Sequence, residues 1–145
     1  MKAKKLFTDE LKKQVVQAIE QAELNTSGEV RVHVDDNCKG EVLDRAAYIF
    51  GKLEMHKTEL RNGVLFYLAV EDRKFAILGD AGINEKVPNN FWDEIKNDVI
   101  SHFKNGDFPG GLSAGIIKAG EQLKAHFPYK DDDINELDNE ISFDD

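Results

Sequence analysis

Residues 79–85, Gly-Asp-Ala-Gly-Ile-Asn-Glu, place carboxylate and amide side chains in a short loop after a predicted strand. Gly79 and Gly82 let the backbone turn tightly and present Asp80 at the end of that strand. Calcium takes about six to eight oxygen ligands from carboxylates, carbonyls and water, so these residue types suit a divalent cation. They equally suit a simple turn, because Asp side chains hydrogen-bond their own backbone. The residues alone leave both interpretations open.

Further carboxylates are expected near Asp80. Asp107 lies in a glycine-rich helix exit, and Glu29 begins a strand that we expect at the same edge of the sheet. Asn84 and Glu85 follow Asp80 closely enough to assist. We therefore predict a first metal site from Asp80 and Asp107, assisted by Glu29, Asn84 or Glu85.

A second oxygen-rich segment, Asp35-Asp36, follows the first predicted strand. We expect it at the opposite edge of the sheet, where it would form the next candidate metal site. The alternative is a solvated strand exit, because connecting loops are usually polar and exposed.

Other chemistries have less support. The histidines show no metal-ligand spacing, and the single cysteine, Cys38, has no cysteine partner for zinc or a disulfide. Ser27 has no G-x-S-x-G context, so no Ser/His/Asp triad is indicated. The Gly79-to-Gly82 loop lacks the lysine of a phosphate-binding loop.

Composition narrows the class of protein. The chain has 145 residues, 41% of them hydrophobic, and a formal net charge of -9. That length gives one domain with a sizeable core. The acidic balance argues against nucleic acid, because phosphate binding needs a basic face. No apolar run is long enough to span a membrane and no apolar leader follows the basic start, so we predict a cytoplasmic protein.

Periodicity predicts the order helix, strand, helix, strand, strand, helix, helix. The helices are expected at about residues 8–23, 41–55, 91–105 and 112–126, and the strands at 29–34, 64–70 and 74–79. Residues 64–70 form a continuous apolar run, which is typical of a strand buried on both faces. A right-handed crossover makes the first two strands parallel, and the short turn at 71–74 makes the third antiparallel. This topology places Glu29, Gly63 and Asp80 at one edge, and Asp35-Asp36 with Glu71-Asp72 at the other.

The C-terminal segment 129–145 is acidic, whereas residues 6–128 form the predicted globular domain. Apolar residues interrupt this tail, and a purely solvating tail would not need them. We therefore expect part of the tail, including Asn135-Glu136-Leu137, to dock on the domain or on a partner.

Several spaced motifs resemble the TPM domain family, named for a thylakoid lumen protein, a photosystem II repair factor and a receptor modulator, and the chain is similar to its small, soluble bacterial branch. The motifs are Ser27-Gly28-Glu29-Val30, Arg61-Asn62-Gly63-Val64-Leu65, Asp72-Arg73, Gly79-Asp80-Ala81-Gly82-Ile83-Asn84 and Phe103-Lys104-Asn105-Gly106-Asp107-Phe108. The resemblance implies a three-layer α/β/α sandwich with a central mixed sheet of about four strands. It also implies divalent cation binding, associated with calcium, and acid phosphatase activity has been associated with plant relatives.

Together, the residues and the resemblance favour a Ca²⁺-binding domain, with Mg²⁺ as a second candidate, that acts as an interaction or regulatory module. Its expected partners are divalent cations and another protein, with no nucleic acid and no direct membrane span. The alternative function is a metal-dependent phosphatase of low specificity. The sequence shows no recognisable nucleophile paired with a base, and this favours the first function.

Overall fold

A four-stranded mixed sheet lies between two helical layers in the computed structural model, which describes residues 5, 7–24, 26–58, 60–88, 90–128 and 141–143. The strands are β1 (Glu29–Asp35), β2 (Gly63–Ala69), β3 (Lys74–Gly79) and β4 (Ser142–Phe143), in the spatial order β3-β2-β1-β4. β1 runs parallel to β2 and β4, and β3 is antiparallel to β2. The predicted three-layer α/β/α sandwich is confirmed.

The helices are α1 (Asp9–Glu23), α2 (Val42–Lys52), the single-turn α3 (Ala81–Asn84), α4 (Phe91–Lys104) and α5 (Phe108–His126). α5 begins four residues before the predicted start at 112, because the Asp107 side chain caps it by accepting the Gly110 N–H. A proline fits this first turn, where its missing N–H costs nothing. α2 ends earlier than predicted, since Glu54 adopts a left-handed φ of 58° before a short 3-10 turn, Met55–Lys57.

The two faces of the sheet differ in polarity. Alternate β1 residues Val30, Val32 and Val34 join the larger core beneath α1, α4 and α5. The opposite face meets α2, where Leu65, Tyr67 and Ala69 of β2 pack on Ala46, Ile49 and Phe50. β2 is therefore buried along its whole length, as its apolar run predicts. The β1 positions on this second face are Glu29, Arg31, His33 and Asp35, so a row of charged and polar residues lies within the sandwich.

The strand register brings the predicted loops together. Glu29 is opposite Gly63, and the Asp80 N–H donates to the Gly63 carbonyl at 2.9 Å. At the other edge, the N–H of Glu71 donates to the carbonyl of Asp36 at 2.8 Å. The amino edge of β1 and β2 thus carries Glu29 and Asp80, and their carboxyl edge carries Asp35-Asp36 beside the β2–β3 turn, as predicted.

The fourth strand comes from the acidic C-terminal segment. β4 pairs with β1, with Ser142 opposite His33 and Phe143 opposite Val34. Ile141 and Phe143 pack against the larger core, and the Phe143 ring meets Phe7 edge-on at 6.4 Å. This end of the segment docks on the domain, as part of the tail was expected to do. The predicted docking of residues 135–137 lies outside the described residues, and the boundary at 128 stays a prediction.

Across the described ranges, no helix has the length and apolar character needed to cross a membrane.

Candidate functional site

Asp35, the last residue of β1, is the centre of a buried polar cluster. Its side chain accepts hydrogen bonds from Tyr67 Oη at 2.5 Å, Arg45 Nε at 2.9 Å and His33 Nε2 at 2.7 Å. Arg45 adds a longer contact from Nη2 at 3.4 Å. Asp35 is only 3% exposed, and His33 only 2%. β1, β2 and α2 therefore converge on one carboxylate at the carboxyl edge of two parallel strands, a common location for sites in α/β folds.

These contacts determine the charge of the cluster. Burial alone raises the pKa of Asp35, but hydrogen bonds from His33, Arg45 and Tyr67, together with the charge of His33, outweigh it and hold the pKa well below its ordinary value. Burial, and then the neighbouring carboxylate, raise the pKa of Tyr67 well above its ordinary value. Asp35 is thus an anion and Tyr67 a neutral donor throughout the physiological pH range.

His33 links this cluster to the C-terminal strand. Its ring stacks on Tyr67 at 5.9 Å, and its Nδ1 lies 2.9 Å from Ser142 Oγ. Because ionised Asp35 can only accept, Nε2 carries the hydrogen that it shares with that carboxylate. In the neutral ring, Nδ1 then accepts from the Ser142 hydroxyl. The result is a hydroxyl–imidazole–carboxylate chain from Ser142 to Asp35.

The loop at 36–40 lies next to the cluster and is held by charges of both signs. The Asp72 carboxylate accepts the Cys38 N–H at 2.6 Å. The ammonium of Lys74 donates to the carbonyls of Cys38 at 3.0 Å and Gly40 at 2.9 Å. Backbone oxygens of this loop therefore already face a cation. Asp36 is half-buried at its start.

At the opposite edge, Asp80 has a different environment. It is 6% exposed, and both of its oxygens bind the Arg61 guanidinium, from Nε and Nη2 at 2.8 Å each. One oxygen also accepts the Ala81 N–H at 2.7 Å, which caps α3. Hydrogen bonding to Asp80, and then its charge, raise the pKa of Arg61. The arginine thus already occupies the position that a cation would take.

The other residues predicted near Asp80 are arranged differently from the expectation. Asn84 donates to the Gly79 carbonyl and accepts from Trp92 Nε1, each at 2.8 Å, so its amide fastens α3 to α4. Glu29 is buried at the same edge, whereas Glu85 is exposed.

The structure does not bring Asp107 to this edge. α4 begins beside Asn84 and ends at the start of β3, where Phe103 meets Phe75 at 5.4 Å. Its 14 residues span about 20 Å, so Asp107 lies at the far end from Asp80. Asp107 is exposed and caps α5 through Gly110 N–H at 3.0 Å. The expectation that Asp80 and Asp107 share one edge is wrong, because the helix between them carries the chain across the sheet.

No group of three or more His, Cys, Asp or Glu side chains that could hold a metal ion occurs among the residues the structure describes. Among the predicted carboxylates, Asp107 caps α5, Asp80 caps α3 and binds Arg61, and Asp35 is the centre of the buried cluster.

Comparison with known proteins assigns the family. Residues 1–122 match the TPM domain. The chain belongs to the TPM domain family. The NMR structure of BA42 protein from the psychrophilic bacterium Bizionia argentinensis is similar to this TPM domain, with 50% identity, a TM-score of 0.88 and coverage of 94% of each chain. Among curated proteins, no sequence matches it.

More distant structures share the fold of this TPM domain. The N-terminal domain of cg2496 protein from Corynebacterium glutamicum is 13% identical, with a TM-score of 0.68 over 88% of this chain and 81% of that one. An N-terminal domain from P. gingivalis is 17% identical, with a TM-score of 0.71 over 86% and 83% of the respective chains. At these identities, the likeness concerns the fold alone.

The sequence did not indicate four of the side chains that bind the two aspartates: His33, Arg45, Arg61 and Tyr67. Tyr67 is a hydroxyl-bearing residue within an apolar strand, and this was the available signal, because a buried Tyr O–H usually finds a partner. Arg45 and Arg61 carry no such signal. Their roles in this TPM domain depend on contacts with Asp35 and Asp80, which are distant in sequence.

Proposed function

We propose that this TPM domain binds a divalent cation, Ca²⁺, at the carboxyl edge of β1 and β2 and acts as an interaction or regulatory module without catalysis. The observation that carries the proposal is the pair of carbonyls, Cys38 and Gly40, directed at the Lys74 ammonium. A loop that offers backbone oxygens to one cation has part of the ligand set that calcium uses.

The carboxylates beside these carbonyls would supply the charge. Asp36 begins the loop, and Asp72 binds its centre through the Cys38 N–H. Backbone oxygens and water complete the shell, since calcium tolerates mixed oxygen ligands. Lys74 must yield as the cation enters, so we expect weak affinity, with Kd on the order of 10⁻⁵ to 10⁻³ M. Mg²⁺ is the second candidate, because it retains several waters at such sites.

The amino edge is the competing position for the cation. Asp80, Glu29, Asn84 and Glu85 offer oxygens there, but Arg61 holds both oxygens of Asp80. The Arg61 side chain is 51% exposed and can therefore move into water if calcium replaces it. A cation at this edge must displace a bidentate ion pair, which is why we favour the carboxyl edge.

Calcium titration of the ¹⁵N-labelled chain, followed by amide NMR shifts and thermal melting, tests the proposal. We expect saturable shifts in residues 36–40 and 70–74 and a higher melting temperature, because a ligand that binds the folded state stabilises it. Asn at both Asp36 and Asp72 retains oxygen acceptors but removes two charges, so the D36N/D72N variant should lose most of the calcium-induced stabilisation.

Asp80→Asn and Asp107→Asn are the matched controls, and both should keep that stabilisation. If Asp80→Asn abolishes the effect while the D36N/D72N variant retains it, the cation binds at the amino edge. If all variants and the parent chain show no saturable shift, the proposed cation function is wrong.

An interaction role also requires an accessible surface for another protein. Leu43 and Tyr48 on α2 are 57% and 60% exposed, which is high for large apolar side chains. They supply apolar contacts of the kind found in interfaces, where aromatic residues are enriched. Both residues lie on the helix that also provides Arg45 to the Asp35 cluster.

The alternative function, a metal-dependent phosphatase of low specificity, has one observation in its favour. The Ser142–His33–Asp35 chain joins a hydroxyl to a buried imidazole and a carboxylate, which is the order of nucleophile, base and orienting group. Hydrolysis of p-nitrophenyl phosphate with Ca²⁺ or Mg²⁺ separates the two functions. We expect no hydrolysis of this substrate. Hydrolysis by the parent chain that is abolished in the Ser142→Ala and His33→Gln variants would support the phosphatase.

A further inference from the structure

A cavity of about 430 Å³ opens between the start of β3 and the connection from α4 to α5. Its lining includes Phe75, Ile100, Phe103 and Phe108, with Arg73 and Lys104 as its charged residues. The volume falls within the range of small-molecule sites.

Aromatic rings form most of the apolar wall. Phe103 contacts Phe75 at 5.4 Å and Phe108 at 4.9 Å, so the three rings form a continuous cluster. Phe75 is buried, whereas Phe103 and Phe108 are only partly covered and keep apolar surface at the opening. An apolar body would therefore find contact area here without rearrangement of the core.

The charge at the cavity is opposite to that of the chain. The protein has a net charge of -9, yet both charged lining residues are cations. Within the described part of the chain, neither Arg73 nor Lys104 forms an ion pair. The neighbouring acids Asp72 and Asp107 instead bind the Cys38 and Gly110 amides, and neither lines the cavity. Two unpaired cations beside an apolar cavity complement a ligand with an anionic head and an apolar body.

We propose that this cavity binds a small amphipathic carboxylate from solution, an alkyl or aryl acid whose body lies against Phe103 and Phe108 and whose carboxylate lies between Arg73 and Lys104. A membrane surface fits less well, because the large exposed apolar residues of the described ranges, Leu24, Leu43, Leu60 and Tyr48, lie outside the cavity. This site is separate from the proposed cation site and does not depend on it.

The test compares octanoate with 1-octanol and octylammonium, which share a chain length and differ in head-group charge. Each is titrated into the ¹⁵N-labelled full chain with EDTA present, so that no metal bridges the carboxylate to the protein. Octanoate should bind with Kd on the order of 1 mM, as expected for a ligand of this size, and shift amides in residues 73–75 and 100–108. It should bind about three- to tenfold more tightly than octanol, because two exposed charges contribute modestly.

Arg73→Gln with Lys104→Gln should reduce octanoate affinity to that of octanol and leave octanol binding unchanged. The matched control, Lys13→Gln with Lys124→Gln, changes the net charge equally at exposed positions of α1 and α5, and it should retain the preference. Equal binding of all three head groups, shifts that map elsewhere, or a preference that survives in the Arg73/Lys104 variant would each overturn the proposal. The amide spectrum of every variant verifies that it is folded.

Discussion

Two buried aspartates at opposite edges of the same sheet have different partners. Asp35 is bound by Tyr67, His33 and Arg45, and the first two are themselves fully enclosed. Asp80 is bound by Arg61, whose side chain is 51% exposed, and by the Ala81 main chain. The Asp35 cluster therefore has few ways to recover its hydrogen bonds from water, whereas the Asp80 pair has solvent beside it.

The difference shows what each edge does for the fold. Asp80 joins the end of β3 to Arg61, which precedes β2, and caps a short helix, and its arginine partner is in contact with water. Asp35 joins β1, β2 and α2, and through His33 it also reaches β4. A buried network of this kind stabilises only while every member is paired.

The largest contrast is expected from replacing each aspartate by Asn. Asp35→Asn removes the charge that Arg45 faces and places N–H groups against other donors, which should cost about 2 to 4 kcal/mol of unfolding free energy. Asp80→Asn retains a good helix cap and loses mainly an ion pair whose arginine side chain is half-exposed to water, so we expect about 1 kcal/mol or less. Urea unfolding measures both values. Equal losses would show that burial of the partners does not distinguish the two edges.

Glycines at the two edges provide the second contrast. A Cβ at Gly82 would lie 2.1 Å from the Leu60 carbonyl oxygen and 2.6 Å from that of Arg61, so backbone would have to move. Gly40 has a φ of +81° but nothing within 4 Å of its Cβ position. We expect Gly82→Ala to cost about 2 to 3 kcal/mol from overpacking, and Gly40→Ala about 1 kcal/mol from backbone strain. Thermal unfolding of both variants tests this order, and the reverse order would contradict the packing at Gly82.

The pH dependence of stability sharpens the comparison at the Asp35 edge. The pKa of Asp35 is lower in the folded state than in the unfolded state. Its contribution to the free energy of unfolding is therefore fully present above the unfolded pKa of about 4, and it is lost as the pH falls below that value. The raised pKa of Tyr67 has the opposite pH dependence. The contribution of Tyr67 to the free energy of unfolding is present below about pH 10 and is lost as the pH rises further.

Asp35→Asn should therefore flatten the acid limb of the stability profile, and Tyr67→Phe the alkaline limb, in urea titrations between about pH 2 and 11. Because Asp35 and Tyr67 also shift each other's pKa, each substitution should change its own limb more than the other limb. An acid limb unchanged by Asp35→Asn would mean that other carboxylates dominate acid unfolding.

The smallest expected effect concerns the docked C-terminal strand. Ser142→Ala removes the hydroxyl beside His33, and we expect a loss of about 0.5 to 1 kcal/mol because β4 lies at a partly solvated edge. Ser101→Ala, at an exposed position of α4, should change stability by less than about 0.5 kcal/mol. Amide exchange of residues 33 and 142–143 provides a second measurement. Unchanged protection in Ser142→Ala would assign the docking of β4 to its pairing with β1 and to the packing of Ile141 and Phe143.

Patterns along the amino-acid sequence predict the layers, the order of the strands β1 to β3 and the loops at each edge. These features follow from local periodicity and from the handedness of a crossover, both of which act over short stretches of chain. The unbroken apolar run of β2 predicts its burial on both faces, and Thr8 and Asp9 predict where α1 begins. β4 could not be located in the same way, because two residues are too few to show an alternating pattern.

The binding partners of each aspartate follow from the three-dimensional fold. Asp35 and Tyr67 are 32 positions apart, and Asp80 and Arg61 are 19 apart, so their pairing depends on strand register and helix placement rather than on any local pattern. The same reason separates Asp107 from Asp80. Residue types predicted oxygen-rich loops correctly, but the direction and length of α4 determined which loops meet. An ion pair also depends on three-dimensional distance, which the spacing of residues along the chain does not specify.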